Sequence, residues 1–308
     1  MDYGNKTFRK LLILIPTVLI MTLFFTGCAK KGMSNTIKVG SKEYTEQLLL
    51  GQITIVALEN AGFKVEDNTN IAGTDKVRGA LLNKEIDVYW EYTGNAWLMN
   101  LKHDEVITDS QEIYEKVKKE DRENGIVWLK YAPFNNTYTI MLTKRDSEKL
   151  GIKTISELGE YVRKNPNKLV FASDHQFSAR PDGLGALEDF YGFEFKNNLK
   201  TMETGIIYRT LKEGKVDAGM GFATDGRIKA FNLVNLEDDK HFFPVYNPAP
   251  ILREDTIKKY PEIEKILNGV SQKLDTETMT LLNYRVDIEE KDPKEVARDW
   301  LKSEGLID

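Results

Sequence analysis

The sequence predicts an α/β fold with two lobes, and two observations lead to this prediction. Short apolar runs of strand type alternate with helical patterns along the chain, which is typical of α/β folds with mostly parallel sheets. A weak internal repeat indicates two equivalent α/β units. A chain of 308 residues, 41% of them hydrophobic, is long enough to build both lobes.

Strands and helices are expected to follow one another in regular order in the first part of the chain. We predict a strand at Ile37–Gly40, a helix at Glu46–Ala61, a strand near Val65, a helix at Val77–Leu82 and a strand at Ile86–Trp90.

The middle of the chain repeats this alternation, and its end is helical. Further strands are predicted at Tyr138–Leu142, Leu169–Ala172, Val216–Phe222 and Ala249–Leu252. Helices dominate from Asp255 onward, with amphipathic spacing at Ile263, Ile266, Leu267 and Val270, and again at Leu274, Met279, Leu282 and Val286. These helices should pack onto a sheet rather than bind lipid.

The internal repeat relates two segments that each read as helix end, charged turn, strand and aromatic residue. They are 82–93 and 211–224, aligned on Asp87 and Asp217, and the alignment pairs Tyr92 with Phe222. Open α/β sheets bind ligands at the carboxyl ends of their strands. The repeat therefore suggests two lobes whose strand ends face one cleft, although chance similarity over so short a window is the alternative.

Composition excludes several classes of function. The formal net charge of -5 gives no basic field for nucleic acid, and one Cys and three His cannot build a disulfide framework or a Cys-rich zinc site. The sequence contains no phosphate-binding loop, no dinucleotide turn and no nucleophile elbow. We expect no metal, no cofactor and no enzymatic activity.

The first residues have the layout of a signal peptide. Lys6, Arg9 and Lys10 precede the apolar run 11–25, and Thr26-Gly27-Cys28 resembles a bacterial lipobox. We predict a signal peptide at 1–27, lipidation of Cys28, and a tether over 28–36, which places the protein on the extracytoplasmic face of the cell membrane. An uncleaved membrane anchor is the alternative.

Aromatic residues stand beside turn residues at four predicted strand ends: Tyr92, Tyr138, Phe222 and Tyr246. An aromatic face attracts a quaternary ammonium group, which cannot donate a hydrogen bond. Four such rings can form a cage for this cation. Taken singly, each ring also suits an ordinary core position.

Several motifs resemble the substrate-binding lipoproteins of osmoprotectant ABC importers, which bind glycine betaine, carnitine or choline. The motifs are Ile37-Lys38-Val39-Gly40-Ser41-Lys42 with Thr45-Glu46-Gln47, Glu91-Tyr92-Thr93-Gly94, Asn135-Asn136-Thr137-Tyr138, Thr224-Asp225-Gly226-Arg227-Ile228 and the segment 236–244. The resemblance implies a two-lobed type II periplasmic-binding-protein fold. Each lobe would be a mixed, mostly parallel sheet flanked by helices, with the ligand in the cleft between them. Residues 37–136 and 243–308 would form lobe I, and 137–242 lobe II.

The resemblance also implies roles for particular residues. The ammonium cage would be Tyr92, Tyr138, Phe222 and Tyr246, with Phe222 departing from the usual Tyr. The polar end of the ligand would meet Lys42, Asn95 and Arg180, with Gln47 and Gln176 nearby. Asn95 replaces the usual Thr or Asp, so a carboxylate ligand should be accepted more readily than with Asp.

The predicted function is that of an extracytoplasmic solute-binding protein, a monomer anchored by lipid, which delivers a quaternary ammonium compound to the permease and ATPase of an ABC importer. A receptor for another betaine, such as ergothioneine or proline betaine, or for an amino acid is one alternative. Alternatives from other classes are an extracytoplasmic hydrolase that uses Asp174 and His175, and a structural or adhesive lipoprotein.

Overall fold

Two five-stranded sheets, each covered by helices, organise the chain. The structure is a computed structural model and describes residues 36–308. The predicted signal peptide and the lipidation of Cys28 lie outside these residues. None of the helices in 36–308 is both long enough and apolar enough to span a membrane.

The first sheet contains strands from both ends of the described chain. Its strands are β1 (Thr36–Lys42), β2 (Lys64–Ile71), β3 (Val88–Tyr92), β4 (Ile126–Trp128) and β10 (Pro248–Arg253). Their order is β2-β1-β3-β10-β4, with β1 parallel to β3 and β10 antiparallel to both of its neighbours. Every residue of β3 is buried, as expected for a central strand covered on both faces.

The second sheet is built from the middle of the chain. Its strands are β5 (Tyr138–Thr143), β6 (Phe171–Ser173), β7 (Leu199–Thr201), β8 (Ala218–Phe222) and β9 (Leu233–Asn235), in the order β7-β6-β8-β5-β9. Strand β6 is parallel to β7 and β8, whereas β5 is antiparallel to β8 and β9. The mixed, mostly parallel sheets expected for a two-lobed α/β fold are confirmed.

The internal repeat corresponds to equivalent strands in the two sheets. Strands β3 and β8 each occupy the third position and end in Tyr92 and Phe222. The aligned acids have the same role, because the carboxylate of Asp87 accepts from the Lys38 N–H at 2.8 Å and that of Asp217 from the Val170 N–H at 2.8 Å. Each carboxylate therefore holds the residues just before its strand against the backbone of the neighbouring segment.

Helices cover both sheets. Those flanking the first sheet are Thr45–Asn60, Thr74–Leu82, Ser110–Asp121, Glu254–Lys259, Glu262–Ser271, Thr276–Asp287 and Pro293–Ser303. Those of the second are Lys144–Leu150, Ile155–Lys164, His175–Ala179, Leu184–Tyr191, Thr204–Lys212 and Gly226–Ala230. A short helix, Thr93–Asn95, continues as the π-helix Ala96–Asn100, and a 3-10 turn spans Lys196–Asn198.

The prediction that the two amphipathic C-terminal stretches pack onto a sheet is right for the first stretch, whereas the second packs mainly on other helices. Helix Glu262–Ser271 places Ile263 and Leu267 in a core shared with the first sheet. Helices Thr276–Asp287 and Pro293–Ser303 instead pack on helix Thr45–Asn60. That helix is apolar around most of its circumference, so it needs a second layer of helices beyond the sheet.

Strand prediction failed for three short strands. Strands β4, β7 and β9 have three residues each and were not predicted. Strand β6 is equally short but was predicted, because it lies in the apolar run Leu169–Ala172. Strand β3 begins two residues later than predicted and includes Tyr92 as its last residue.

Two segments connect the sheets, one between β4 and β5 and one between β9 and β10, and hydrogen bonds hold them to each other. The Tyr246 N–H donates to Asn135 Oδ1 at 2.7 Å, and Asn247 Nδ2 donates to the carbonyl of Phe134 at 2.8 Å. The predicted lobe boundaries, after residues 136 and 242, lie in these segments, and their exact positions stay predictions.

Candidate functional site

A cavity of about 510 Å³ lies where strands of both sheets end. Strands β1, β3 and β8 contribute their last residues to its wall, and β5 its first. The sequence-predicted residues that line it are Lys42, Tyr92, Asn95, Tyr138, Gln176, Arg180, Phe222 and Tyr246. Gln47 is not among the lining residues.

Tyr138 is the centre of an aromatic cluster at the cavity. Its ring centroid lies 5.2 Å from that of Phe222, its partner across the β5–β8 ladder, and 6.2 Å from that of Tyr246, which stands edge-on. Phe177 stacks on Tyr138 at 5.1 Å and supports it. Three rings of the predicted cage are therefore neighbours, and their faces and edges can surround one cation.

Tyr92, the fourth predicted ring, comes from the first sheet. It is 4% exposed and stacks on Tyr44 with a centroid distance of 6.5 Å. Its hydroxyl donates to Glu46 Oε1 at 2.6 Å. Burial raises the pKa of Tyr92 well above its ordinary value, so the phenol stays protonated and remains a donor.

Glu46 is a buried carboxylate with four hydrogen-bond donors, and sequence reasoning missed it. Oε1 accepts from Tyr92 and from Asn136 Nδ2 at 2.7 Å, whereas Oε2 accepts from Thr224 Oγ1 at 2.5 Å and from Asn283 Nδ2 at 2.9 Å. Burial raises the pKa of Glu46 and these hydrogen bonds oppose the shift. The carboxylate joins the first helix to the turn after β8.

A signal for Glu46 exists in the sequence. It shares a helix face with Leu49, Leu50 and Ile53, at spacings of three, four and seven residues. An acid on an apolar helix face is costly unless a partner meets it, so that spacing could have identified it. Tyr44, Asn136, Thr224, Asn283 and Arg227 also line the cavity.

Lys42 is held in a buried ion pair with Glu91. Its Nζ lies 2.6 Å from Glu91 Oε1, with both side chains almost completely buried. Glu91 also accepts from the Tyr92 N–H at 2.8 Å and from Asn95 Nδ2 at 3.2 Å. The predicted polar end is therefore a neutralised pair with Asn95 beside it, because a buried ammonium requires a counterion within the protein.

Arg180 is also paired. Its guanidinium bonds both oxygens of Asp182, at 2.9 and 2.5 Å, and its Cζ lies 5.7 Å from the ring centroid of Tyr138. The hydrogen bonds with Asp182 raise the pKa of Arg180, so it stays charged. Arg180 therefore lies beside the aromatic cluster as an ion-paired cation, and its contact with the polar end of a ligand stays a prediction.

The two glutamines have different positions. Gln176 lines the cavity from the second lobe, whereas Gln47 is fully buried and its Oε1 accepts from the Lys42 N–H at 3.3 Å. Gln47 therefore supports the backbone that carries Lys42.

Asp174 and His175, the pair considered for a hydrolase, are arranged differently from a catalytic dyad. Asp174 caps helix His175–Ala179 by accepting from the Phe177 N–H at 2.6 Å, and it also accepts from Thr204 Oγ1 at 3.1 Å. His175 is exposed. These contacts give Asp174 a structural role.

Two equivalent α/β lobes with an aromatic-lined cavity at their strand ends define a two-lobed substrate-binding protein. Comparison with known proteins gives the family. The chain belongs to the OpuAC family, the substrate binding domain of ABC-type glycine betaine transport systems, which matches residues 35–303.

Relatives agree with this assignment. A glycine-betaine-binding protein of Pseudomonas aeruginosa is 38% identical, covering 93% of this chain and 92% of its own. An ergothioneine transport permease/ergothioneine binding protein of Helicobacter pylori is 35% identical over 87% of this chain and 47% of its own. The crystal structure of a glycine betaine/carnitine/choline ABC transporter protein has a TM-score of 0.80 and 27% identity, covering 88% of this chain and 100% of that one.

The chain is therefore a substrate-binding protein of an ABC transporter system. Proteins of this family are extracytoplasmic, bind small ligands and work with a permease and an ATPase. They are transport proteins rather than enzymes.

Proposed function

We propose that this protein binds a quaternary ammonium compound in the cavity and delivers it to its permease. Glycine betaine, carnitine, choline and related betaines are the proposed ligands. The observation that carries the proposal is the cluster of Tyr138, Phe222 and Tyr246. The ring centroid of Tyr138 lies 5.2 Å from that of Phe222 and 6.2 Å from that of Tyr246. Together with Tyr92, these rings would surround the trimethylammonium group.

The other end of the ligand would meet Lys42, Asn95, Gln176 and Arg180. Lys42 has three donors, of which Glu91 takes one, so the ammonium can still donate to a carboxylate or a hydroxyl. Asn95 can donate to a carboxylate or accept from a hydroxyl. Because the Lys42–Glu91 pair has no net charge, this end should discriminate less strongly between zwitterions and choline than two free cations would.

Ergothioneine is a second candidate ligand, which the Helicobacter pylori relative supports. It carries the same trimethylammonium group and a carboxylate, so the cage and the polar end would serve it in the same way. Ergothioneine also has an imidazole-2-thione ring, which glycine betaine, carnitine and choline lack, so it would occupy more of the cavity.

We further propose that the protein is a monomer held at the extracytoplasmic face of the cell membrane by lipid on Cys28. The apolar run that ends in Thr26-Gly27-Cys28 supports this proposal. Acyl chains supply the anchoring energy through their buried methylenes.

A thermal-shift screen tests the ligand class. Glycine betaine, carnitine, choline, ergothioneine and free amino acids are compared, because a ligand that binds only the folded state stabilises it by about 2.7 kcal/mol at 100 times its Kd. We expect the melting temperature to rise with quaternary ammonium compounds and not with glycine or proline. A rise with amino acids alone would contradict the proposal.

A further inference from the structure

Glu46 differs from the other carboxylates that line the cavity. Asp225 and Asp287 both contact Arg227, at 2.8 and 3.4 Å, and Glu43 is exposed. Asp174 is only half-buried and caps helix His175–Ala179. Glu46 is 3% exposed, and none of the ion pairs within residues 36–308 includes it. It is thus a buried carboxylate at the cavity wall without a cationic partner in the described part of the chain.

The groups around Glu46 suit its ionised form. All four contacts are made by donors: the hydroxyls of Tyr92 and Thr224 and the Nδ2 atoms of Asn136 and Asn283. An ionised carboxylate is an acceptor only and satisfies all four groups; the two Nδ2 atoms can only donate, whereas the hydroxyls of Tyr92 and Thr224 can also accept. A buried charge is normally paired with an opposite charge, and four neutral donors supply none.

The position of Glu46 connects this charge to the predicted cage. Its Oε1 lies 2.6 Å from the hydroxyl of Tyr92, and both residues line the cavity. A carboxylate that accepts from a phenol also increases the electron density of the ring, which strengthens the attraction of the ring face for a cation.

We propose that Glu46 is a specificity-determining residue whose buried carboxylate supplies the countercharge for the ligand's quaternary ammonium group. The inference rests on the proposed function and deepens it, because it states that the site recognises the positive charge and not only the shape of the trimethyl group. A neutral ligand of the same shape would leave the carboxylate unpaired and would be rejected.

The test compares each ligand with the isostere in which carbon replaces the quaternary nitrogen, so that only the positive charge of the trimethyl group is removed. Choline is paired with 3,3-dimethylbutan-1-ol, and glycine betaine with 3,3-dimethylbutanoate; calorimetry gives both Kd values for the wild type and for Glu46→Gln. In each pair, we expect the affinity for the quaternary ammonium compound divided by the affinity for its isostere to fall about tenfold or more in Glu46→Gln, since the Coulomb attraction is lost. A purely structural role would weaken both members of a pair equally and leave the ratio unchanged, which would overturn the inference.

The matched control is Glu43→Gln, which removes the charge of an exposed lining residue three positions earlier. It should leave the ratio within about twofold, because solvent screens an exposed charge. An equal fall in the control would show a general effect of cavity charge and would overturn the assignment to Glu46.

A second variant covers the case in which Glu46→Gln does not fold. Asn283 Nδ2 donates to Glu46 Oε2 at 2.9 Å. The double variant Glu46→Gln with Asn283→Asp places the amide at position 46 and the carboxylate at position 283. Restoring the charge there should return the cation preference, and a folded double variant without preference would contradict the inference. Failure of the proposed function looks different, because the wild type would then bind neither choline nor glycine betaine.

Discussion

Tyr138 is packed against other aromatic rings and also lines the cavity. Phe177 stacks on it at 5.1 Å, while Phe222 and Tyr246 stand beside it at the cavity. Because its ring is held by neighbours on several sides, little entropy remains to be lost when a ligand binds.

We predict that Tyr138→Ala weakens binding of glycine betaine or choline by about 1 to 3 kcal/mol, because one face of the cage is lost. Tyr138→Phe should cost much less, since the ring remains. Calorimetry measures both affinities. Phe190→Ala removes an aromatic residue that is 50% exposed and serves as the control; equal effects of the two Ala variants would contradict the cage.

Asn95 tests the polar end. Its Nδ2 donates to Glu91 Oε1 at 3.2 Å, so Asn95→Asp places a second carboxylate beside Glu91 and Lys42. We expect the change to weaken glycine betaine binding about tenfold more than choline binding, because the new charge repels the ligand carboxylate and accepts from a hydroxyl. Dissociation constants for both ligands measure this. An unchanged ratio would remove Asn95 from the polar end.

At the scale of elements, the turn after β8 joins the second sheet to the C-terminal helices. Thr224 Oγ1 donates to Glu46, and the carbonyl of Thr224 accepts from Asn283 Nδ2 at 3.0 Å. Gly226 permits this approach, because a Cβ atom there would lie 2.5 Å from the backbone N and Cα of Tyr284. The turn and helix Thr276–Asp287 therefore meet through backbone contact.

We predict that Gly226→Ala lowers the free energy of unfolding by about 1 to 3 kcal/mol through overpacking, and that it weakens ligand binding by displacing Thr224 from Glu46. Denaturant unfolding and calorimetry measure the two effects. Gly205→Ala is the matched control, because nothing lies within 4 Å of its Cβ position on helix Thr204–Lys212. Gly205→Ala should leave ligand affinity unchanged; normal binding in Gly226→Ala would show that the turn does not position the site.

At the scale of the whole molecule, two equivalent sheets place their strand ends around one cavity. The third strands of both sheets, β3 and β8, end in the aromatic residues Tyr92 and Phe222. The connecting segments add Tyr246, which Asn135 holds by its backbone N–H. A ligand contacting residues of both sheets would favour the arrangement in which the lobes are close.

The anchor is a prediction about the molecule in its cell. We expect Cys28→Ala to release the protein from the membrane fraction, because lipid on this residue is the proposed attachment. Fractionation followed by immunoblotting measures the distribution, with Ser34→Ala in the tether as a control that should stay membrane-bound. A Cys28→Ala protein that remains fully in the membrane fraction would indicate an uncleaved apolar anchor.

Local sequence patterns determined much of the architecture. Alternating apolar runs predicted most strands, the first two helices and the helical end of the chain, since periodicity is a local property. Helices Ser110–Asp121 and Ile155–Lys164 were not placed. The alignment of Asp87 with Asp217 indicated the equivalence of the two lobes. Strand-end aromatics identified Tyr92, Tyr138, Phe222 and Tyr246 as lining candidates. The three-residue strands β4, β7 and β9 were missed, whereas the equally short β6 was found because it continues the apolar run Leu169–Ala172.

Tertiary structure alone decided the electrostatics of the site. Lys42 and Arg180 can be recognised as cations from the sequence, but their partners cannot. The fold brings Glu91 Oε1 within 2.6 Å of Lys42 Nζ, and the conformation of the chain after Arg180 lets its guanidinium bond Asp182. Glu46 meets donors from positions as distant as 224 and 283. Charge at a buried site depends on which groups meet across the chain, because desolvation and pairing act through space and leave no periodic trace in the sequence.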